Sequence, residues 1–150
     1  MFQAKLKLLY DILQKKRENL SRILSICENQ ETVIRAISDG SLERGAVSEF
    51  FSAMNEEKQT LIDATIACDD LFARVFDGIK NDFERLAPDF SERIAELKAE
   101  IKSVVEIDAK IRLQEERNKT SLASSHKIKG DTPSKSKARL LSEYRKNAGF

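Results

Sequence analysis

The sequence predicts an all-α protein, an elongated antiparallel bundle of three long helices followed by a flexible basic C-terminal tail. Three observations carry the prediction. Leu6, Leu13, Leu20, Cys27 and Ile34 recur at strict seven-residue spacing, with Leu9, Ile23 and Ile37 three places on, and that period keeps one stripe of a long helix turned towards a partner. Five glycines and two prolines in 150 residues are too few for the turns of a β-sandwich or barrel. Breaker residues fall between periodic runs, at Asp39-Gly40, Gly45 and Pro88.

The first helix is expected to begin within residues 2–5 and to end near Ser38, where Asp39-Gly40 supplies the stop. It contains no glycine or proline, and Lys15, Lys16, Arg17, Glu18 and Arg22 keep its outer face wet. About 35 residues at 1.5 Å rise make a rod on the order of 50 Å. Two seam positions are polar, Lys16 and Gln30. Polar residues there set register and partner number at some cost in stability, or leave a groove imperfect where a partner helix must enter and leave.

After the break at 39–46 a second helix is expected from Val47 or Ser48, carrying Phe50, Phe51, Met54, Leu61, Ile62, Cys68, Leu71, Phe72, Val75, Phe76, Ile79, Phe83 and Leu86. Its stripe widens from Leu71 onward, which suggests two neighbours. Lys58 and Thr65 interrupt the line. Gly78 costs roughly 1 kcal/mol of helix propensity without having to end the helix. The stop is Leu86-Ala87-Pro88-Asp89.

Asp89 with Glu92 three residues on fits a capping box for the third helix. Ile94, Leu97, Ile101, Val104, Val105 and Ile111 give it an apolar face, but Asp108 and Glu115 stand where apolar residues are wanted. The stripe is therefore expected to weaken after about residue 105, leaving the helix only partly covered or fraying towards Lys119. Residues 1–118 then form the helical bundle domain, and 119–150 a basic, disordered tail rich in Ser, Thr and Lys. Within Ser136–Asn147, Leu140, Leu141 and Tyr144 would line one side of a short amphipathic helix, too short to be stable alone.

The net charge of +1 conceals an asymmetry. Eight basic against two acidic side chains place 119–150 at +6, which leaves 1–118 at −5. An acidic helical body is not a nucleic-acid surface, and the basic segment has no aromatic platform or recognition-helix context. No run approaches the roughly 18 apolar residues of a membrane span, and charge interrupts the start too early for a signal peptide. The expected location is the cytoplasm, where Cys27 and Cys68, both on apolar stripes, are read as buried thiols rather than a disulfide.

Chemistry finds little support. The only histidine, His126, lies in the tail, and there is no zinc-ligand spacing, nucleophile-base pair or phosphate-binding glycine loop. No catalytic, cofactor or metal residues are expected. The Phe51–Phe83 stripe instead offers more apolar surface than a fading third helix covers, a deficit met by a dimer, a client helix or folding back of the C-terminal segment. Phe72, Phe76, Ile79 and Phe83 are the candidate partner-binding residues, with core and exposed placements both open.

Two stretches carry a resemblance. LLYDILQKKRENLSRILSICENQETVIRAISDGSL and FFSAMNEEKQTLIDATIACDDLF, the second with Glu57-Lys58-Gln59 ahead of Leu61-Ile62, look like the FlgN-type flagellar export chaperones, and with the third helix the likeness spans about residues 5–118. It implies a cytoplasmic protein that holds hook-filament junction subunits as monomers through their amphipathic terminal helices and delivers them for type III export. The tail has no counterpart in that pattern; with Leu140, Leu141 and Tyr144 it becomes a docking segment for an export component or for the protein's own groove. The alternative is a structural coiled-coil or adaptor protein that forms a homodimer and has no secretion client.

Overall fold

The computed structural model describes residues 1–128, and every regular element among them is helical. Helix α1 spans Phe2–Ser38, α2 Arg44–Asp77, α3 Lys80–Leu86, and α4 Ser91–Ile128, with a single 3-10 turn, Ala87–Phe90, between α3 and α4. The architecture is an elongated helical bundle, three long helices and one short one. No described helix is long and apolar enough to cross a membrane.

Helix α1 ends where the sequence says it should. The Asp39 N–H closes on the Arg35 carbonyl at 2.9 Å, Gly40 takes φ +81°, and the Asp39 carboxylate accepts the Ser41 N–H at 2.8 Å. An Asx turn and a left-handed glycine reverse the chain in five residues. Helix α2 starts at Arg44, earlier than Val47 or Ser48, on an extended Glu43 with no side-chain cap.

Helix α2 does not run through Gly78. Its last turn tightens, with the Gly78 N–H on the Val75 carbonyl and the Ile79 N–H on the Phe76 carbonyl, and Ile79 leaves the helical path at φ −123°. The bend lets α3 and the 3-10 turn pass beneath the N-terminus of α1, where the Phe2 ring lies 6.2 Å from Phe83 and 5.2 Å from Phe90.

The helix directions follow from side-chain pairs. Lys16 meets Asp69, and Gln30 meets Asn55 and Lys58, so α1 and α2 are antiparallel. Arg17 meets Glu100 and Cys27 meets Glu115, so α4 runs parallel to α1. This up-down-up course makes α1 the central helix. It packs along both α2 and α4, while the backbones of α2 and α4 approach each other at few points.

The two-sided role of α1 is written in its burial. All five residues from Leu6 to Ile34 at seven-residue spacing are buried, and so is a second line at the same spacing, Ile12, Asn19, Ile26 and Val33. Three of every seven positions face inward, wide enough for two neighbours. The expectation that α2 would be the two-neighbour helix is thus corrected.

Helix α4 also differs from expectation. Its helix continues ten residues beyond Asn118, and its inward stripe does not stop near 105. Leu97, Val104, Ile111 and Asn118 are buried at seven-residue spacing, with Gln114 and Glu115 beside them. The stripe continues in polar residues.

Candidate functional site

Two features stand out, a buried polar cluster and the open groove next to it. The cluster sits where α1, α2 and α4 meet, two-thirds of the way along α1. Lys58 has no exposed surface and Glu115 only 2%. The Lys58 ammonium donates to Gln30 Oε1 at 2.6 Å and to Glu115 Oε1 at 2.9 Å, and its Nζ lies 4.0 Å from Cys27 Sγ. The Cys27 thiol donates to the same Glu115 oxygen at 2.7 Å. Around this centre, Gln30 donates to Asn55, and the Asn118 amide donates to the Cys27 carbonyl at 2.8 Å while accepting from Gln114. Gln114 also donates to Glu31 at 2.6 Å, which holds the Glu31 carboxyl below its usual range; partial burial opposes this, and the charges of Arg35 and Arg117 reinforce it.

Each of these groups is needed by another. A lone ammonium or carboxylate at this depth would cost several kcal/mol, so the pair and its amides form a single set that fails if one member is removed. Glu115 Oε2 is buried with no hydrogen-bond partner among the described residues. The chemical capacity of the set is structural: it ties α2 to α4 across α1 at one level and so fixes the register of all three helices. Gln30 and Lys58 were visible in the sequence as polar breaks in apolar lines. Glu115 was visible only as a fault in α4, and Gln114 and Asn118 were missed. The signal for them was the continuing seven-residue line through Leu97, Val104 and Ile111.

The Lys58–Glu115 tie closes one end of the gap between α2 and α4. Phe72, Phe76, Phe83, Phe90 and Phe2 close the other, with rings of Phe72 and Phe76 6.4 Å apart and those of Phe76 and Phe83 5.9 Å apart. Between these ends lies a groove of about 290 Å3. Leu20 and Ile23 of α1 and Ile62 of α2 form its floor; Thr65, Ile66 and Asp69 stand on one wall, Val104, Val105 and Asp108 on the other. Ile66 is 45% exposed and Val105 61%, large apolar side chains left on facing rims. Lys16 spans from the floor to Asp69 at 2.6 Å, and Arg112 holds Asp108 at 3.1 Å, so the groove's charges balance. The Thr65 hydroxyl bonds back to the Leu61 carbonyl at 2.8 Å.

The residues singled out from the sequence do not line this groove. Ile79 is buried at 4%, and Phe72, Phe76 and Phe83 are partly buried and packed against the core. They belong to the closed end of the bundle, where the bend at Gly78 brings Phe83 of α3 against Phe76 of α2. Leu140, Leu141 and Tyr144 lie outside the described residues.

Cys27 and Cys68 lie on different helices and neither is in a disulfide. Burial pushes the Cys68 thiol up, and the neighbouring Asp69 adds to the effect. Among the described residues no group of three or more His, Cys, Asp or Glu side chains is placed to hold a metal ion.

No family model, curated protein or solved structure matches this chain. The groove and the cluster therefore have to be interpreted from their own geometry.

Proposed function

We propose that this protein is a cytoplasmic helix-binding chaperone or adaptor that performs no chemistry and receives an amphipathic helix in the α2/α4 groove. The observation that carries the reading is the pair of exposed apolar rims, Ile66 and Val105, that face each other across the groove between α2 and α4. An entering helix would bury both rims at about 25 cal/mol per Å2 of apolar surface. The client class, an amphipathic terminal helix of a flagellar axial subunit kept monomeric for export, is supported by the resemblance of Leu8–Leu42 and Phe50–Phe72 alone.

The test is fluorescence anisotropy of a labelled peptide, the terminal amphipathic helix of a hook-filament junction protein, titrated with the full chain and with Val105→Glu. The expected result is saturable binding that the variant weakens by roughly tenfold or more, about 1.4 kcal/mol or more, with an unchanged circular dichroism spectrum. Equal binding by both proteins, or none by either, would overturn the reading.

A second reading has its own observation. Ile101, Val105 and Leu113 are exposed apolar residues on α4, four and eight places apart. A second copy of the chain could cover them, making a homodimeric coiled-coil protein without a secretion client. Sedimentation equilibrium separates the two, since the homodimer reading requires a dimer that Leu113→Glu dissociates.

A further inference from the structure

The α2/α4 groove has a candidate occupant within the chain itself. We propose that, in the absence of a client, residues Ala138–Asn147 fold back along α4 and occupy the groove as an intramolecular helix. The proposal rests on the reading of this groove as a helix-binding surface and adds its regulation.

Reach decides whether the segment can arrive. Helix α4 is described to Ile128, and the groove's α4 wall begins one rod-length back, at Asp108. Twenty residues of helix are about 30 Å. The nine residues 129–137 span at most about 30–32 Å when extended. Ala138 can therefore just reach the level of Asp108. Ten further residues in a helix extend about 15 Å, which carries them past Val104 and Val105 to about the level of Lys98. The connector is long enough to bring the segment to the groove and too short to carry it to the phenylalanine-lined end.

Chemistry decides whether it fits. In a helix, Leu140, Leu141 and Tyr144 fall on one side at spacings of one, three and four, matching a groove with an apolar floor and apolar rims. The flanking residues Lys137, Arg139, Arg145 and Lys146 are basic. The groove's own lining is neutral, so charge selection comes from the wall beside it: α2 carries seven carboxylates against Arg44, Lys58 and Arg74. All seven are exposed, whereas Lys58 is buried. A basic amphipathic helix seated between α2 and α4 places its charges against the acidic side of α2.

Docking of this kind has a defined consequence. A tethered segment competes with a client at an effective concentration in the millimolar range, so the client must be present above a threshold or must displace the tail by binding more tightly.

The experiment uses the full chain with Val105 replaced by the photo-cross-linker p-benzoylphenylalanine, irradiated with no peptide present and analysed by peptide mass spectrometry. Intrachain cross-links to residues 138–147 are expected, with a yield unchanged on roughly tenfold dilution and lost in Leu140→Glu/Leu141→Glu. Cross-links only between chains, only to other parts of the chain, or none at all would overturn the proposal. The same Leu140→Glu/Leu141→Glu chain, with Val105 intact, should bind the labelled peptide about tenfold more tightly than the natural sequence; unchanged affinity would also overturn it. The cross-link is read without a client, so absence of peptide binding with intact tail cross-links would count against the helix-client reading alone.

Discussion

Removing the Glu115 carboxylate should be far more damaging than removing the whole ion pair. Glu115→Leu takes the carboxylate at 2.9 Å away from a Lys58 ammonium that has no exposed surface. At 2.9 Å the attraction between the two charges is on the order of 6 kcal/mol for an effective dielectric of 20, most of it offset by desolvation while the pair is intact. Breaking it should cost about 3–5 kcal/mol. With a urea slope of about 2 kcal/mol per molar, the unfolding midpoint would fall by about 1.5–2.5 M. Lys58→Met/Glu115→Leu keeps the volume and removes both charges, so it should be neutral or more stable than the parent by as much as about 1–4 kcal/mol. The assay is urea unfolding, followed by circular dichroism, of the four proteins of the cycle: the parent, Glu115→Leu, Lys58→Met and the double variant. A coupling energy below about 1 kcal/mol would refute the claim that these groups are paired and buried together.

Three further outcomes follow from other parts of the structure. Gly40→Ala should destabilise by about 1 kcal/mol, because Gly40 sits at φ +81°, whereas Gly78→Ala should be within about 1 kcal/mol of neutral, since an added Cβ would meet chiefly the mobile end of Lys5 at 2.9 Å; thermal unfolding compares the two. The folded-state pKa of Glu31 is depressed, so its stabilising contribution is present above its ordinary carboxyl value of 4.5 and is lost as pH falls through the folded value; Glu31→Gln should therefore flatten the acid side of the stability profile below about pH 4.5 and leave its alkaline side alone. Cys27 should resist alkylation by iodoacetamide until the chain unfolds, and Cys68, half-buried with a raised pKa, should react slowly at pH 7 and faster as pH rises, as peptide mass spectrometry would record.

Much of the architecture was legible in the sequence. The seven-residue line from Leu6 to Ile34, the Asp39-Gly40 stop and the Pro88 break each act through local rules of helix geometry, and each appears where those rules put it. The bend at Gly78 was not legible. A lone glycine in a helical pattern is compatible with a straight helix or a break, and the break goes with the contacts of Phe2, whose ring packs edge-on to Phe83 and tilted against Phe90 from the other end of the sequence. The same bend turned Phe72, Phe76, Ile79 and Phe83 from a candidate surface into packing at the bundle's end.

The sequence by itself determined the helices: their periodicity, their stops, and the polar interruptions at Gln30 and Lys58. Only the tertiary structure decided what those interruptions are for. A polar residue at a seam is a defect when its helix is considered alone, because the cost of burying it is local while the partner that cancels the cost lies elsewhere in the chain. Glu115 is 57 residues from Lys58 and 88 from Cys27, and no spacing rule within one helix connects them. Packing around α1 brings the three together, and the same packing holds α2 and α4 far enough apart to leave the groove between them.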